Sequence, residues 1–375
     1  MQGPSTAAAA AAVRHAGGTV TRSLSLAHGV AARLAPASAA ALDAAPGLAV
    51  TPDARFHVAG AVYSPGPDAP QFASLHPGPT WDASAGAGVG VALVDTGVAD
   101  TPVLAGHVVR GVDLTDEGDG VDRYGHGTFM AGLIAGQDGL GVAPGATVVS
   151  IKVAGRDGST SLSQVIDGVG WAVEHADDYN LRVLNLSLGA DAPMAWRADP
   201  LSAAVEMAWA SGMAVVVSAG NDGAGHVTSP GRDPWVITAG ATDTRGTGST
   251  ADDTVPAFSG SGHTGPVDKP EIVAPGVDVV SVRVPGSTLD LAYPQARQGK
   301  SWFRGSGTSM STALTAGAAA VLVWGHPEAT PDDVKGALVA GADVLASGQR
   351  AHAEAPALRG PLHLLSQLPG SESRS

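Results

Sequence analysis

At 375 residues the chain exceeds the roughly 250–300 at which a single core stops growing, so one large domain with an appendage is expected. The balance of 21 Lys+Arg against 35 Asp+Glu, net −14, argues against a nucleic-acid or anionic-membrane partner, while 44% apolar residues suffice for a sizeable core. The absence of cysteine excludes disulfides, thiolate metal sites and cysteine nucleophiles, and no apolar run reaches the ~18–20 residues of a membrane span.

Residues 1–58 have their own character. The Ala-rich Thr6 to Val13 predicts a helix, the alternating Thr19 to Leu34 two strands broken near His28-Gly29, and the Ala-rich Pro36 to Leu48 a second helix capped near Ser38. Arg14, Arg22, Arg33 and Arg55 against Asp43 and Asp53 give this part +2, which leaves 17 basic and 33 acidic residues, −16, for the rest. Opposite signs favour docking of the two parts. Residues 59–80 are rich in Pro and Gly (Pro65, Gly66, Pro67, Pro70, Pro77, Gly78, Pro79) and read as a linker or extended segment.

From 81 to 346 short branched-apolar runs alternate with helical periods. Val89 to Val94, Val148 to Val153, Val183 to Leu188, Ala214 to Val217 and Val236 to Ala239 are strand candidates, and Leu162 to Glu174, Leu201 to Trp209 and Ser311 to Trp324 have helical spacing. This is the α/β pattern of a mostly parallel sheet with helices on both faces, whose functional groups gather at the carboxyl ends of the strands. Thr330-Pro331-Asp332-Asp333 reads as a helix start, and residues 347–375 as a polar tail without a site. There is no internal repeat, and Met1 to Val13 lacks the basic start and leucine-rich centre of a signal peptide.

Four polar groups stand at strand ends or helix starts. Asp95 follows Val91-Ala92-Leu93-Val94; His126 lies between Gly125 and Gly127; Asn221 follows Val216-Val217-Ser218-Ala219-Gly220; Ser309 sits where Gly305-Ser306-Gly307-Thr308 turns into an apolar helix. Each has a plain alternative: a turn-forming Asp, a turn-forming Asn before Asp222-Gly223, an ordinary loop feeding a core helix at Ser309. A histidine between two glycines is there either for close backbone approach or for an exposed ring. Together the four supply a carboxylate, an imidazole, an amide donor and a hydroxyl at a helix N-terminus, the set that acyl transfer requires. Gly86-Ala87-Gly88-Val89-Gly90 precedes its strand and is no dinucleotide loop.

The blocks Val94-Asp95-Thr96-Gly97, Gly125-His126-Gly127-Thr128 and Gly307-Thr308-Ser309-Met310 resemble the three signatures of the subtilase (subtilisin-like serine endopeptidase) family, in its order Asp, His, Ser. Leu140-Gly141-Val142-Ala143-Pro144, Asn185 to Gly189, Ser218 to Asn221 and Lys269-Pro270 to Gly276 match further blocks, so the resemblance runs from about Ala83 to Gly341. It implies a subtilisin-like fold with Ser309 as nucleophile, His126 as base then acid, Asp95 as orienting carboxylate, and Asn221 with the Ser309 N–H as oxyanion donors. It also implies that Ser187, Leu188 and Gly189 pair with substrate backbone and that Ser218, Ala219 and Gly220 line the first specificity pocket. Small side chains there suggest a roomy pocket and broad specificity.

The expected partners are protein or peptide substrates, handled by a monomer. No cofactor is required. Gly136 to Leu140 is shorter than the family's calcium loop, so tight calcium there is not expected and only weak structural calcium elsewhere is. Phe129 replaces the family's His, and Ala313 its Pro; altered packing or rate is expected from them. The N-terminal part resembles the later portion of a subtilisin-type propeptide, an inhibitor and intramolecular chaperone, which implies a self-processing zymogen. Its usual first strand is missing, which suggests that Met1 is an internal start, with that strand and an export signal encoded upstream. Secretion is the expected location, with the cytoplasm as the alternative. A peptide-binding pseudoprotease and a peptide ligase on the same scaffold stay open, whereas a lipase-like hydrolase would need Gly-x-Ser-x-Gly, which no serine has.

Overall fold

The computed structural model describes residues 1–57, 83–189, 195–247, 250–265, 267–342 and Leu345. The expected linker over 59–80 and the tail over 347–375 lie outside these residues.

The N-terminal part contains helix α1 (Thr6–His15), strands β1 (Thr19–Leu24) and β2 (Gly29–Arg33), helix α2 (Pro36–Asp43) and strand β3 (Arg55–His57). Ser5 accepts from the Ala8 N–H (3.2 Å) to start α1, and β1 pairs antiparallel with β2. The start of α2 corrects the sequence expectation: its cap is Ala35, with Pro36 at the first helical position. Ser38 instead donates to the Ala16 carbonyl (3.0 Å), because a hydroxyl already inside the first turn faces the neighbouring loop.

The large part follows as β4 (Gly90–Asp95), β5 (Val108–Asp113), α3 (His126–Ala135), β6 (Thr147–Lys152), β7 (Ser159–Ser161), α4 (Leu162–Glu174), β8 (Leu181–Leu186), α5 (Pro200–Ala210), β9 (Ala214–Ser218) and β10 (Ile237–Thr242). It ends with β11 (Gly262–Thr264), β12 (Val267–Lys269), β13 (Ile272–Pro275), β14 (Val279–Val282), α6 (Thr288–Ala292), β15 (Arg297–Gln298), β16 (Trp302–Gly305), α7 (Thr308–Gly325) and α8 (Pro331–Ala340). Seven strands form one parallel sheet in the order β13-β10-β9-β8-β4-β6-β5. All five strand candidates lie in it. The expected Val183 to Leu188 is paired only over Leu181–Leu186, so Ser187, Leu188 and Gly189 run past the strand end.

Helices α3 and α7 pack on each other and on the sheet; α4 and α5 form a second pair, and β1 docks on α4. Every α7 residue from Thr308 to Val323 is buried, as its small side chains permit: a Cβ on Gly317 would lie 2.7 Å from Val142 Cβ. Helix α8 has the predicted start, a capping box in which Thr330 and Asp333 satisfy each other's backbone N–H groups. The consequence for function is that β4, β8 and β9, side by side, direct Asp95, Ser187 and Asn221 toward one edge, where α3 and α7 begin.

Candidate active site

Asp95 is the last residue of β4 and His126 the first of α3, both buried. His126 Nδ1 lies 2.9 Å from each Asp95 carboxylate oxygen, and Asp95 Oδ1 also accepts from the Thr96 N–H (2.7 Å). A carboxylate only accepts, so the proton shared with it belongs to Nδ1, and Nε2 carries the basic lone pair. Nε2 is buried and has no hydrogen-bond partner. The glycines around His126 serve close approach rather than ring exposure: Gly125 has φ 109°, and a Cβ on Gly127 would collide with the Gly97 carbonyl.

Ser309 is the second residue of α7, where the backbone N–H has no partner inside the helix. Its Oγ donates to the Ser187 carbonyl (3.1 Å), and Ser187 Oγ donates back to the Ser309 carbonyl (3.2 Å). Asn185 in turn donates to Ser187 Oγ (2.9 Å). The Thr308 N–H (2.9 Å) and hydroxyl (3.1 Å) both point at Asn221 Oδ1. A backbone N–H can only donate, so the amide oxygen faces Thr308 and Nδ2 is the end turned away from it. Of the sequence-predicted residues, the structure brings Asp95 to His126, Ser187 to Ser309, and Asn221 to the residue before Ser309. Leu188, Gly189, Ser218, Ala219 and Gly220 continue the two segments that flank this point.

The two departures sit in regular surroundings. Phe129 is buried in α3, its carbonyl accepting from Ser281 Oγ (2.7 Å). Ala313 is buried in an unbroken helix and supplies the N–H that a proline would lack, directed four residues back toward the Ser309 carbonyl.

Several site residues escaped the sequence reading. Asp122, fully buried, accepts from Thr96 Oγ1 (2.9 Å), from the N–H groups of Tyr124 (3.1 Å), Gly125 (2.7 Å) and Thr128 (2.9 Å), and from Thr128 Oγ1 (2.7 Å). It fastens the turn after Asp95 to the helix that begins with His126, taking the capping role that Gly125 cannot fill. Burial pushes its carboxyl up, against the hydrogen bonds from Thr128, Gly125 and Thr96. Its signal was an acid three residues before Gly125 with a threonine six residues on. Lys152, also buried, donates to the carbonyls of Thr96 (2.7 Å) and Ala154 (3.1 Å) and faces Glu117 at 3.4 Å.

The sequence reading also did not foresee β7, to which β3 adds as an antiparallel strand, His57 opposite Ser159 and Arg55 opposite Ser161. Just beyond, Asp53 accepts from the N–H (2.9 Å) and hydroxyl (2.8 Å) of Ser163 in the first turn of α4, a favourable place for a negative charge. Arg22 pairs with Asp167 on the same helix.

At the short loop Gln137 Nε2 donates to the carbonyls of Ala135 (3.1 Å) and Pro144 (2.7 Å). Among the described residues no group of three or more acidic or histidine side chains is placed to hold a metal.

Comparison with known proteins gives this geometry a lineage. A model described as the Subtilase family matches residues 86–358. The chain is 40% identical over 273 residues to Serine protease AprX of Bacillus subtilis (strain 168), covering 69% of this chain and 62% of that protein. It is 35% identical over 249 residues to Subtilisin-like protease 1 of Arthroderma gypseum, covering 65% of this chain and 45% of that protein. The chain therefore spans less than two thirds of the length of these relatives. A cold-adapted subtilisin-like serine proteinase of known crystal structure superposes with a TM-score of 0.60 at 30% identity, over 74% of this chain and 90% of that one.

Proposed function

Since the chain belongs to the Subtilase family, we propose that it is a serine endopeptidase that hydrolyses peptide bonds through an acyl-enzyme on Ser309. The observation that supports the reading is the buried Asp95–His126 pair, whose Nε2 is left without a partner, alongside a Ser309 hydroxyl at the start of α7 and an Asn221 amide anchored on Thr308.

Ser309 Oγ turns from the Ser187 carbonyl to His126 Nε2, which takes its proton as the oxygen attacks the substrate carbonyl. Asp95 holds the Nδ1 proton and stabilises the imidazolium. The Ser309 N–H and Asn221 Nδ2 donate to the oxyanion. His126 then passes its proton to the leaving amine, and water repeats the cycle to free the acid. Every group is a side chain or backbone N–H of this chain, so the chemistry calls on no cofactor, and any calcium is structural.

Substrate backbone runs along Ser187, Leu188 and Gly189 as an added strand. The N-terminal segment, clasped to α4 by Asp53 and Arg22, acts as a propeptide that the enzyme itself removes. Secretion belongs to the same proposal; no helix of the described residues is long and apolar enough to cross a membrane.

The test is fluorophosphonate labelling and intact-mass measurement of the purified chain. Wild type is labelled and shortens at its N-terminal side, whereas Ser309→Ala does neither. An unlabelled wild type, or a Ser309→Ala chain that shortens at the wild-type rate, would sink the reading.

A further inference from the structure

His126 opens α3 directly after the turn Asp122-Arg123-Tyr124-Gly125, so the place of its ring depends on how that turn is held. The N–H side is held from within: Asp122 accepts from Tyr124 (3.1 Å) and Gly125 (2.7 Å). The carbonyl side is held from without, by α6. The Thr288 N–H donates to the Arg123 carbonyl (3.0 Å), and the Leu289 N–H to the Tyr124 carbonyl (3.0 Å). These two residues begin α6, where N–H groups have no partner inside the helix, so turn and helix satisfy each other. The fit leaves no slack: a Cβ on Gly125 would lie 2.7 Å from Ser287 Oγ, and Leu289 is buried. Thr288 Oγ1 also donates to the Arg156 carbonyl (2.6 Å), which ties α6 to the loop between β6 and β7.

What fixes α6 in that place is the next residue, Asp290, which is only 3% exposed. Its carboxylate accepts from Arg283 Nε (2.6 Å) and Nη2 (3.1 Å), from Arg297 Nε (2.8 Å) and from the Gly286 N–H (2.9 Å). Arg297 Nη2 donates to the Asp290 carbonyl as well (2.7 Å). Arg283 directly follows β14 and Arg297 begins β15, and both strands pair with β16. One carboxylate thus closes the segment between two strands of a sheet into a loop that carries α6. Such a node fails as a unit, because without the acid two partly buried guanidinium groups face each other with no counter-charge.

We propose that residues 283–297 are an outer clamp on the turn that presents His126, and that Asp290 is a positioning residue for the hydrolysis, acting through that turn. Asp122 and Asp290 are then an inner and an outer anchor on opposite backbone sides of one turn. The inference rests on the serine endopeptidase reading and extends its machinery to a segment that supplies no reacting group.

It is tested with the full chain, followed until its activity is constant, on one peptide p-nitroanilide, with kcat expressed per site titrated by a fluorophosphonate so that unfolded protein does not count. Misplacing a reacting group by about 1 Å can cost on the order of 100-fold. Asp290→Ala is expected to lower kcat about tenfold or more while KM changes less than about threefold. The rate of fluorophosphonate labelling should fall by a like factor, since it too needs His126 to take the Ser309 proton. Thr288→Pro tests the contact itself. Ser287 is extended (φ −66°, ψ 164°), as a residue before proline must be, and proline suits a first helical position, so this variant loses the N–H to Arg123 and keeps the helix start. It is expected to lower kcat in the same way, and it decides the matter if Asp290→Ala does not fold. Thr288→Val, which keeps the N–H, should recover most of the loss. A kcat unmoved in either variant that folds, a loss confined to KM, or a Thr288→Val as slow as Thr288→Pro overturns the proposal and leaves the peptidase reading intact. A wild type that is neither labelled nor active overturns both.

Discussion

Asp122 shows how much a site owes to groups that never meet a substrate. Removing its carboxylate leaves the N–H groups of Gly125 and Thr128 and two hydroxyls unsatisfied at the junction of Asp95 and His126. Asp122→Ala is expected to cost on the order of 3 kcal/mol in denaturant unfolding and to lower kcat far more than it raises KM; Asp122→Asn, which keeps one accepting oxygen, should recover part of both. A large rise in KM with kcat preserved would refute the positioning role. Asp253 makes a different prediction. Burial, and then the charges of Asp252 and Asp243, push its carboxyl up to about 6, and its Oδ1 has no partner. The folded state then keeps a proton that the unfolded chain releases near 3.8, so the unfolded state binds fewer protons between those values. Its contribution to stability therefore falls as pH rises from about 4 to about 6, and is level above. Unfolding midpoints across that range should lose this downward component in Asp253→Asn; an unchanged slope would contradict the assignment.

Among the elements, α4 links the two parts of the chain. Its first turn is satisfied by Ser161 from within and by Asp53 from the N-terminal part, so Asp53→Ala costs about 1 kcal/mol at that contact. The variant should shorten, or show activity, sooner than wild type in a time course read by intact mass; an identical time course would count against the clasp. This contact also marks what the sequence could and could not say. The five strand candidates, α4 and the α8 capping box were legible because each is a local pattern: a branched run, a helical period, a Thr-Pro-Asp-Asp start. Strands β5 and β13 were not. The first carries Arg110 and Gly111 at a sheet edge and the second is only four residues long, so neither has the apolar run of a central strand. The chemical groups Asp95, His126, Asn221 and Ser309 could be picked out beforehand because glycines and strand ends frame them. Asp122 looks like an ordinary loop residue, and its importance arises only from what the fold sets against it. The same is true of Ser38, whose helix position was one turn off because Pro36 sets the start.

At the level of the whole molecule, net charge is +2 on residues 1–58 and −16 on the remainder. Their association thus has a long-range attractive component that salt screens, with a Debye length of about 10 Å at 0.1 M. On the proposed propeptide reading, inhibition by the cleaved N-terminal segment should weaken as salt rises from roughly 0.05 to 0.5 M, measured as the segment's inhibition constant against a small peptide; tightening with salt would argue for a purely apolar clasp. The position of α7 has a further consequence, one of timing. Asp95 and Ser309 are 309 − 95 = 214 residues apart, and the helix that brings Ser309 is also the one that β8, β9, β10 and β13 pack against. During synthesis from the N-terminus those strands are complete long before their covering helix exists, and contacts of such sequence separation form late. A ribosome-bound chain that has not yet released α7 lacks both the helix that covers these strands and the proposed nucleophile, so on the proposed reading peptide cleavage waits for α7.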